Sequence, residues 1–241
     1  MVDLPKTLEA AIAQARTATE AAITAGYTRL QIEILLPELK PMPLVVEYLP
    51  VFAEAGADLK VFFTDAGAAA LARRDWGEVA FQVASLDVAG SRQTTPVEEL
   101  IQPSDRAFVF VAASPVEISP VEQVCTAVGE RPVVLFNPRL DEVGAVGIGY
   151  TARKIRQRFL NTFEPCYYLC PLDEQTVMLR CYPAPWQVWL EQGDSYTLLA
   201  EDAAKPNAER LVEILSGTSE TQPPKRSLIA EMQRFLKALG Q

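Results

Sequence analysis

The spacing of hydrophobic residues changes along the chain, and each change predicts a different element. In residues 5–25, "PKTLEAAIAQARTATEAAITA", Leu8, Ile12, Ala15, Ala22 and Ile23 recur at helical spacing, and Gly26 follows. That pattern predicts a helix with a glycine stop. "RLQIEILL" is rich in β-branched and apolar residues and predicts a strand stopped by Pro37. "LVVEYLPVFAEAG" has helical spacing, with Pro50 expected to shorten or kink it. A short buried strand, "LKVFFTD", a short helix, "AGAAALARRDWG", and a strand, "VAFQVASL", follow in turn. Residues 87–105 read mainly as loop. "RAFVFVAASP" is the clearest strand in the chain, and "RPVVLFNPR" is another continuous apolar run. Between them "SPVEQVCTAVGE" predicts a helix with Ser119 as N-cap and Pro120 in its first turn.

A helix is predicted over 151–162, and beyond it the pattern alters. "PCYYLCPL", "TVMLRCYPA", "WQVWLEQ" and "SYTLLAED" are four short strand candidates, with "LDEQ" and "EQGDS" as tight turns. Closely spaced strands of this kind form an antiparallel meander. "NAERLVEILSG" is a helix, "TSETQPPK" a linker and "RSLIAEMQRFLKAL" a terminal amphipathic helix. Strands apolar on both faces that alternate with helices belong in a parallel sheet between helical layers. The expected fold is therefore one α/β domain over residues 1–241. Its sheet is mainly parallel, flanked by helices on both faces and extended by a C-terminal antiparallel meander. The alternating part covers 1–162, the meander 163–204 and the terminal helices 205–241.

Composition narrows the function classes. The net charge is −9, which argues against nucleic-acid binding, since that needs a basic footprint. No apolar run reaches the roughly 20 residues of a membrane span, and "MVDLPKTLEA" has no secretory pattern, so the expected location is the cytosol. There is no histidine. That removes Ser–His and Cys–His nucleophile pairs and histidine metal sites. The four cysteines, Cys125, Cys166, Cys170 and Cys181, form no CxxC pair and are expected to be unbridged, buried thiols. No metal and no particular cofactor is implied.

Ligands of open parallel sheets bind outside the carboxyl ends of the strands. The polar residues expected there are Glu38, Thr64, Asp65, Ser114, Asn137 and Arg139. They could hold an anion, or they could cap helices and turns. "GAVGIGYTARKIRQRF" adds a second candidate: Gly144, Gly147 and Gly149, with Thr151 as a cap and Arg153 and Lys154 beside a helix N-terminus. It is neither a P-loop nor a GxGxxG motif. An anion site, a docking patch using Arg156 and Arg158, and an ordinary solvated helix remain as readings. Trp186 and Trp189 alternate along one strand, and Trp189 falls on its polar side. An exposed Trp189 would suit a protein interface, unless a terminal helix covers it.

Four segments together carry a family resemblance: "LPKTLEAAIAQARTATEAAI", "GYTRLQIEILLPELKPMP", "LFNPRLDEVGAVGIGYTARKIRQRFLNTFEPCYYL" and "YPAPWQVW". The chain resembles the domain of unknown function 1995 family of cyanobacteria and chloroplasts. In plants this domain resembles the protein linked to low photosystem II accumulation, and the C-terminal part of one chloroplast adenylate kinase. The resemblance implies a protein of a photosynthetic organism on the cytosolic or stromal side, with peripheral association with the thylakoid membrane left open. It also implies a photosynthetic membrane protein or assembly factor as partner. It transfers no catalytic residue. The expected function is a non-catalytic accessory or assembly protein of the photosynthetic apparatus. The alternative is an enzyme or sensor that binds a phosphorylated or anionic small molecule at the carboxyl edge of the strands.

Overall fold

The computed structural model describes residues 3–37, 39–87, 95–139, 157–192 and 195–217. Its centre is a nine-stranded sheet. In chain order the elements are α1 (Leu8–Thr24), β1 (Arg29–Ile34), α2 (Pro41–Tyr48), β2 (Leu59–Phe63), α3 (Ala66–Trp76), β3 (Gln82–Ser85), α4 (Val97–Leu100), β4 (Ala107–Val111), α5 (Ile118–Val128), β5 (Val133–Phe136), β6 (Glu164–Pro171), β7 (Thr176–Cys181), β8 (Trp186–Gln192), β9 (Ser195–Asp202) and α6 (Ala208–Gly217). The spatial order is β3-β2-β4-β5-β1-β6-β7-β8-β9. Strands β1 to β6 pair in parallel, and β6 to β9 pair antiparallel. The mainly parallel sheet and its antiparallel meander are therefore present, and the two parts share one continuous ladder.

Local chemistry explains the element ends. Thr7 caps α1 by accepting from the Ala10 amide at 3.2 Å, and Asp65 caps α3 through the Ala68 amide at 2.8 Å. Pro50 does break the second helix. After Tyr48 the chain tightens into a 3₁₀ stretch, Leu49–Asp58, which kinks at Phe52 and at Gly56, with φ of 49°. Ser119 is not the cap of α5. The helix begins at Ile118 with Glu117 at the cap position. A turn just upstream winds the chain early: Glu117 accepts from the Ser114 amide at 2.8 Å, and the Ser114 hydroxyl accepts from the Val116 amide. The loop expected over 87–105 contains the short helix α4, too brief for a periodic signal. Asp173 folds the β6–β7 turn by accepting from the amides of Gln175 and Thr176.

Two cores lie on opposite faces of the sheet. On the first face, Ala11, Ala15, Ala18 and Ala22 of α1 pack closely on Leu30, Ile32 and Ile34, together with α2, the 3₁₀ stretch and α3. Alanine along the helix lets its backbone sit close to the strands. On the second face, α5 buries Val121, Val124, Cys125 and Val128 against Phe108, Phe110, Val133 and Leu135, and Phe159 and Phe163 complete the layer. Arg29 closes the far end of α5 by donating to the carbonyls of Cys125 and Gly129. A smaller cluster, Tyr168, Met178 and Trp186, lies on this same face of the meander, where Leu211 of α6 touches it. Among the described residues, no element covers the second face over β1, β6 and β7 between α5 and α6.

The tryptophans correct an expectation. Trp189 is 6% exposed, so it is not the exposed residue that its place on the polar side suggested, and Trp186, on the apolar side, is 4% exposed. The reason is the pairing of β8 on both sides, with cover on both faces. Gln187, on the same side as Trp189, is buried too. It accepts from the Trp189 indole at 3.2 Å and donates to Glu201 at 2.8 Å, so the polar side of the strand closes on itself.

Candidate functional site

The registers carry the predicted edge residues to one end of the sheet. Phe63 stands opposite Val111, Val111 opposite Phe136, and Phe136 opposite Ile32. Asp65, Ser114, Asn137 and Arg139 therefore follow neighbouring strands at the same carboxyl edge. Their polar groups are engaged there with the backbone. Asp65 caps α3, and Ser114 holds the turn before α5. Asn137 adopts φ of 45°, and its side chain bridges β1. It accepts from the Ile34 amide at 2.7 Å and donates to the Ile34 carbonyl at 3.1 Å, which adds a side-chain rung to the ladder. Arg139 donates its amide to the Ala113 carbonyl, and its side chain is exposed. Glu38, Gly144, Gly147, Gly149, Thr151, Arg153, Lys154 and Arg156 lie outside the described residues. Arg158 is paired with Glu122 of α5 at 2.7 Å.

A different site opens on the second face. It is a cleft of about 450 Å³. Its floor is Gln31 and Glu33 of β1, Glu164 and Pro165 of β6, and Arg180 of β7. One wall is Leu160, Asn161 and Phe163; the other is Trp186, Ala203, Ala204 and Lys205. The register explains this gathering. Glu33 stands opposite Tyr168, Tyr168 opposite Arg180, Arg180 opposite Trp186, and Trp186 opposite Asp202. Five strands thus contribute one row of polar and aromatic side chains across the sheet.

Charge inside the cleft is arranged in steps. Arg180 pairs with Glu164 at 3.0 Å, both side chains being mostly buried. The Nε of Arg180 is buried without a hydrogen-bond partner among the described residues. Gln31 donates to a Glu33 carboxylate oxygen at 2.8 Å. Lys205, at the mouth and exposed, holds its ammonium 4.0 Å above the Tyr168 ring and 5.6 Å from the Trp186 ring. Those two rings lie 5.2 Å apart. The segment carrying Lys205 is clamped at both ends: Asp202 pairs with Arg210 at 3.1 Å, and Asn207 caps α6 through the Arg210 amide. The opposite wall is fixed to α5 by the Arg158–Glu122 pair. A separate gap beneath α5, among Ala113, Ile118, Val121, Leu135 and Phe159, has no room for a water molecule and is packing.

The sequence held a signal for the cleft. Gln31 and Glu33 share one face of β1, and Arg180 interrupts the apolar face that carries Thr176 and Met178. Polar residues on the middle strands of a wide sheet require an unusual neighbour, because their burial is costly without one. Which strands become neighbours is absent from the pattern, so this signal could not be assembled into a site.

The thiols are poor nucleophiles. All four are unbridged. Burial pushes Cys125 and Cys166 up to about 12 and Cys181 to about 11, and Cys170 is raised for the same reason. Among the described residues, no group of three or more acidic or thiol side chains is placed to hold a metal. No helix among them is long and apolar enough to cross a membrane.

No solved structure matches the chain. A family model does, over residues 5–213, from before α1 to within α6. That span takes in the whole sheet and every residue that lines the cleft, and by it the chain belongs to the family described as Domain of unknown function (DUF1995).

Proposed function

We propose that this protein is a non-catalytic accessory or assembly protein of the photosynthetic apparatus, acting by binding a partner protein. The observation that carries the non-catalytic part is the state of the reactive groups among the described residues. The buried thiols are held protonated, and Asp65, Ser114 and Asn137 are tied to backbone groups. An open cleft walled by fixed charges suits recognition better than turnover. The photosynthetic part rests on the resemblance of "LFNPRLDEVGAVGIGYTARKIRQRFLNTFEPCYYL" and its companion segments to the cyanobacterial and chloroplast family. The partner is then a photosystem subunit or an assembly factor, met at the membrane surface from the cytosolic or stromal side.

The test uses the full chain as bait in an extract of a phototroph, with a crosslinker, over a salt series. Photosystem subunits or their assembly factors should be enriched relative to an unrelated protein of similar acidity. If Arg156 and Arg158 belong to the docking patch, changing both to glutamate should reduce capture and flatten its salt dependence. Recovery of the same proteins by both baits would sink the proposal.

A further inference from the structure

We infer that the cleft on the second face is a binding site for a small amphipathic organic anion, a molecule with one carboxylate-type head and an apolar body. The inference is independent of the photosynthetic reading.

Lys205 supplies the first reason. Its ammonium lies over the faces of Tyr168 and Trp186, and among the described residues it makes no ion pair or hydrogen bond. The rings fix the position of the cation yet leave its N–H donors for another acceptor. The Asp202–Arg210 pair and the Asn207 cap hold the connector in place, so little ordering is needed when a ligand arrives.

The floor supplies the second reason. Glu164 is already neutralised by Arg180, and Glu33 is held by Gln31. Among the described lining residues, Lys205 at the mouth is the cation without an ion pair, Arg180 being paired with Glu164. Lys205 therefore places an anionic head at the mouth rather than on the floor, where Glu33 keeps its charge.

The walls supply the third. Leu160, Phe163, Pro165, Trp186, Ala203 and Ala204 give one part of an otherwise polar cleft an apolar surface, and Asn161 offers an amide at the rim. Inorganic phosphate would leave that apolar surface uncovered. A volume of about 450 Å³ lies within the range of small-molecule sites.

The experiment titrates the full chain with octanoate and 1-naphthoate by calorimetry, and maps the site by amide shifts. Inorganic phosphate and naphthalene-1-methanol, the head and the body alone, serve as controls. Both organic anions should saturate, with shifts concentrated at residues 160–165, 180, 186 and 203–205, and both controls should bind at least about tenfold more weakly. Lys205→Glu should weaken the anions by about tenfold to a hundredfold, the loss of a charge-assisted contact, while Lys205→Arg retains them. Asn161→Asp, on the facing wall, should also weaken them. Both positions are exposed, so unchanged urea midpoints are expected and separate lost binding from lost folding. The inference is overturned if neither anion saturates at millimolar concentration, if Lys205→Glu binds like the parent, or if the shifts fall elsewhere. Binding to phosphatidylglycerol vesicles without binding of the free anions would also overturn it, by placing the affinity on a surface.

Discussion

Asn137 shows how one side chain can do the work of a strand residue. Its backbone sits in the left-handed region, with φ of 45°, where β5 has ended. Its amide group then pairs with both backbone groups of Ile34, the N–H and the C=O, in a buried setting. Asparagine tolerates that backbone better than alanine and carries a donor and an acceptor in one plane. Asn137→Ala should cost about 2–4 kcal/mol, from unsatisfied buried groups and a disfavoured φ. Asn137→Gly should recover about 1 kcal/mol of that by relieving the backbone alone. Urea denaturation of the three proteins measures both steps, and equal midpoints would refute the account. The sequence exposed only half of this: an Asn before Pro138 reads as a turn, but nothing in it names Ile34 as the partner.

At the scale of elements, a buried ion pair ties the end of the sheet opposite the strand carboxyl edge. Lys60 of β2 donates to Asp105 at 2.8 Å and to the Leu100 carbonyl at 2.7 Å, with side-chain exposures of 6% and 0%. Asp105 also accepts from the Gln102 amide at 2.7 Å. One carboxylate thus fixes the passage from α4 into β4 and sets it against β2. Breaking such a pair leaves a buried charge alone. Lys60→Met or Asp105→Leu should each cost about 3–5 kcal/mol, and the double variant distinctly less than the sum of the two. A double-mutant cycle in urea checks this; additive losses would mean the pair is not coupled. Lys60 stands inside an apolar strand, "LKVFF", and its position on the strand is readable, but Asp105 lies 45 residues on and only the β2–β4 pairing brings it close.

At the scale of the whole molecule, burial of the thiols links stability to alkaline pH. The thiols of Cys125, Cys166 and Cys181 rise from an ordinary 9.0 to about 12, 12 and 11 because burial disfavours the thiolate. The folded chain holds these protons more tightly than the unfolded chain. Their contribution is complete below pH 9 and is lost as pH rises through the folded values, so unfolding free energy should fall between about pH 9 and 12. Replacing Cys125 and Cys166 with alanine should flatten the fall measured by urea denaturation, after allowing for the packing loss at all pH values. An unchanged slope would contradict the assignment. Hydrophobic period and turn chemistry by themselves determined the α/β class, the apolar strands β2, β4 and β5, the kink at Pro50 and the antiparallel meander, because each depends on residues close in sequence. They also brought the strand-end residues to one edge, since parallel strands share a direction. Tertiary structure alone decided that β1 lies between β5 and β6, that Glu33, Tyr168, Arg180 and Trp186 fall in one row, and that both tryptophans are buried. Strand order is a choice among long-range pairings whose energies differ through packing on both faces, and a period read along the chain carries no record of which strand lies beside which.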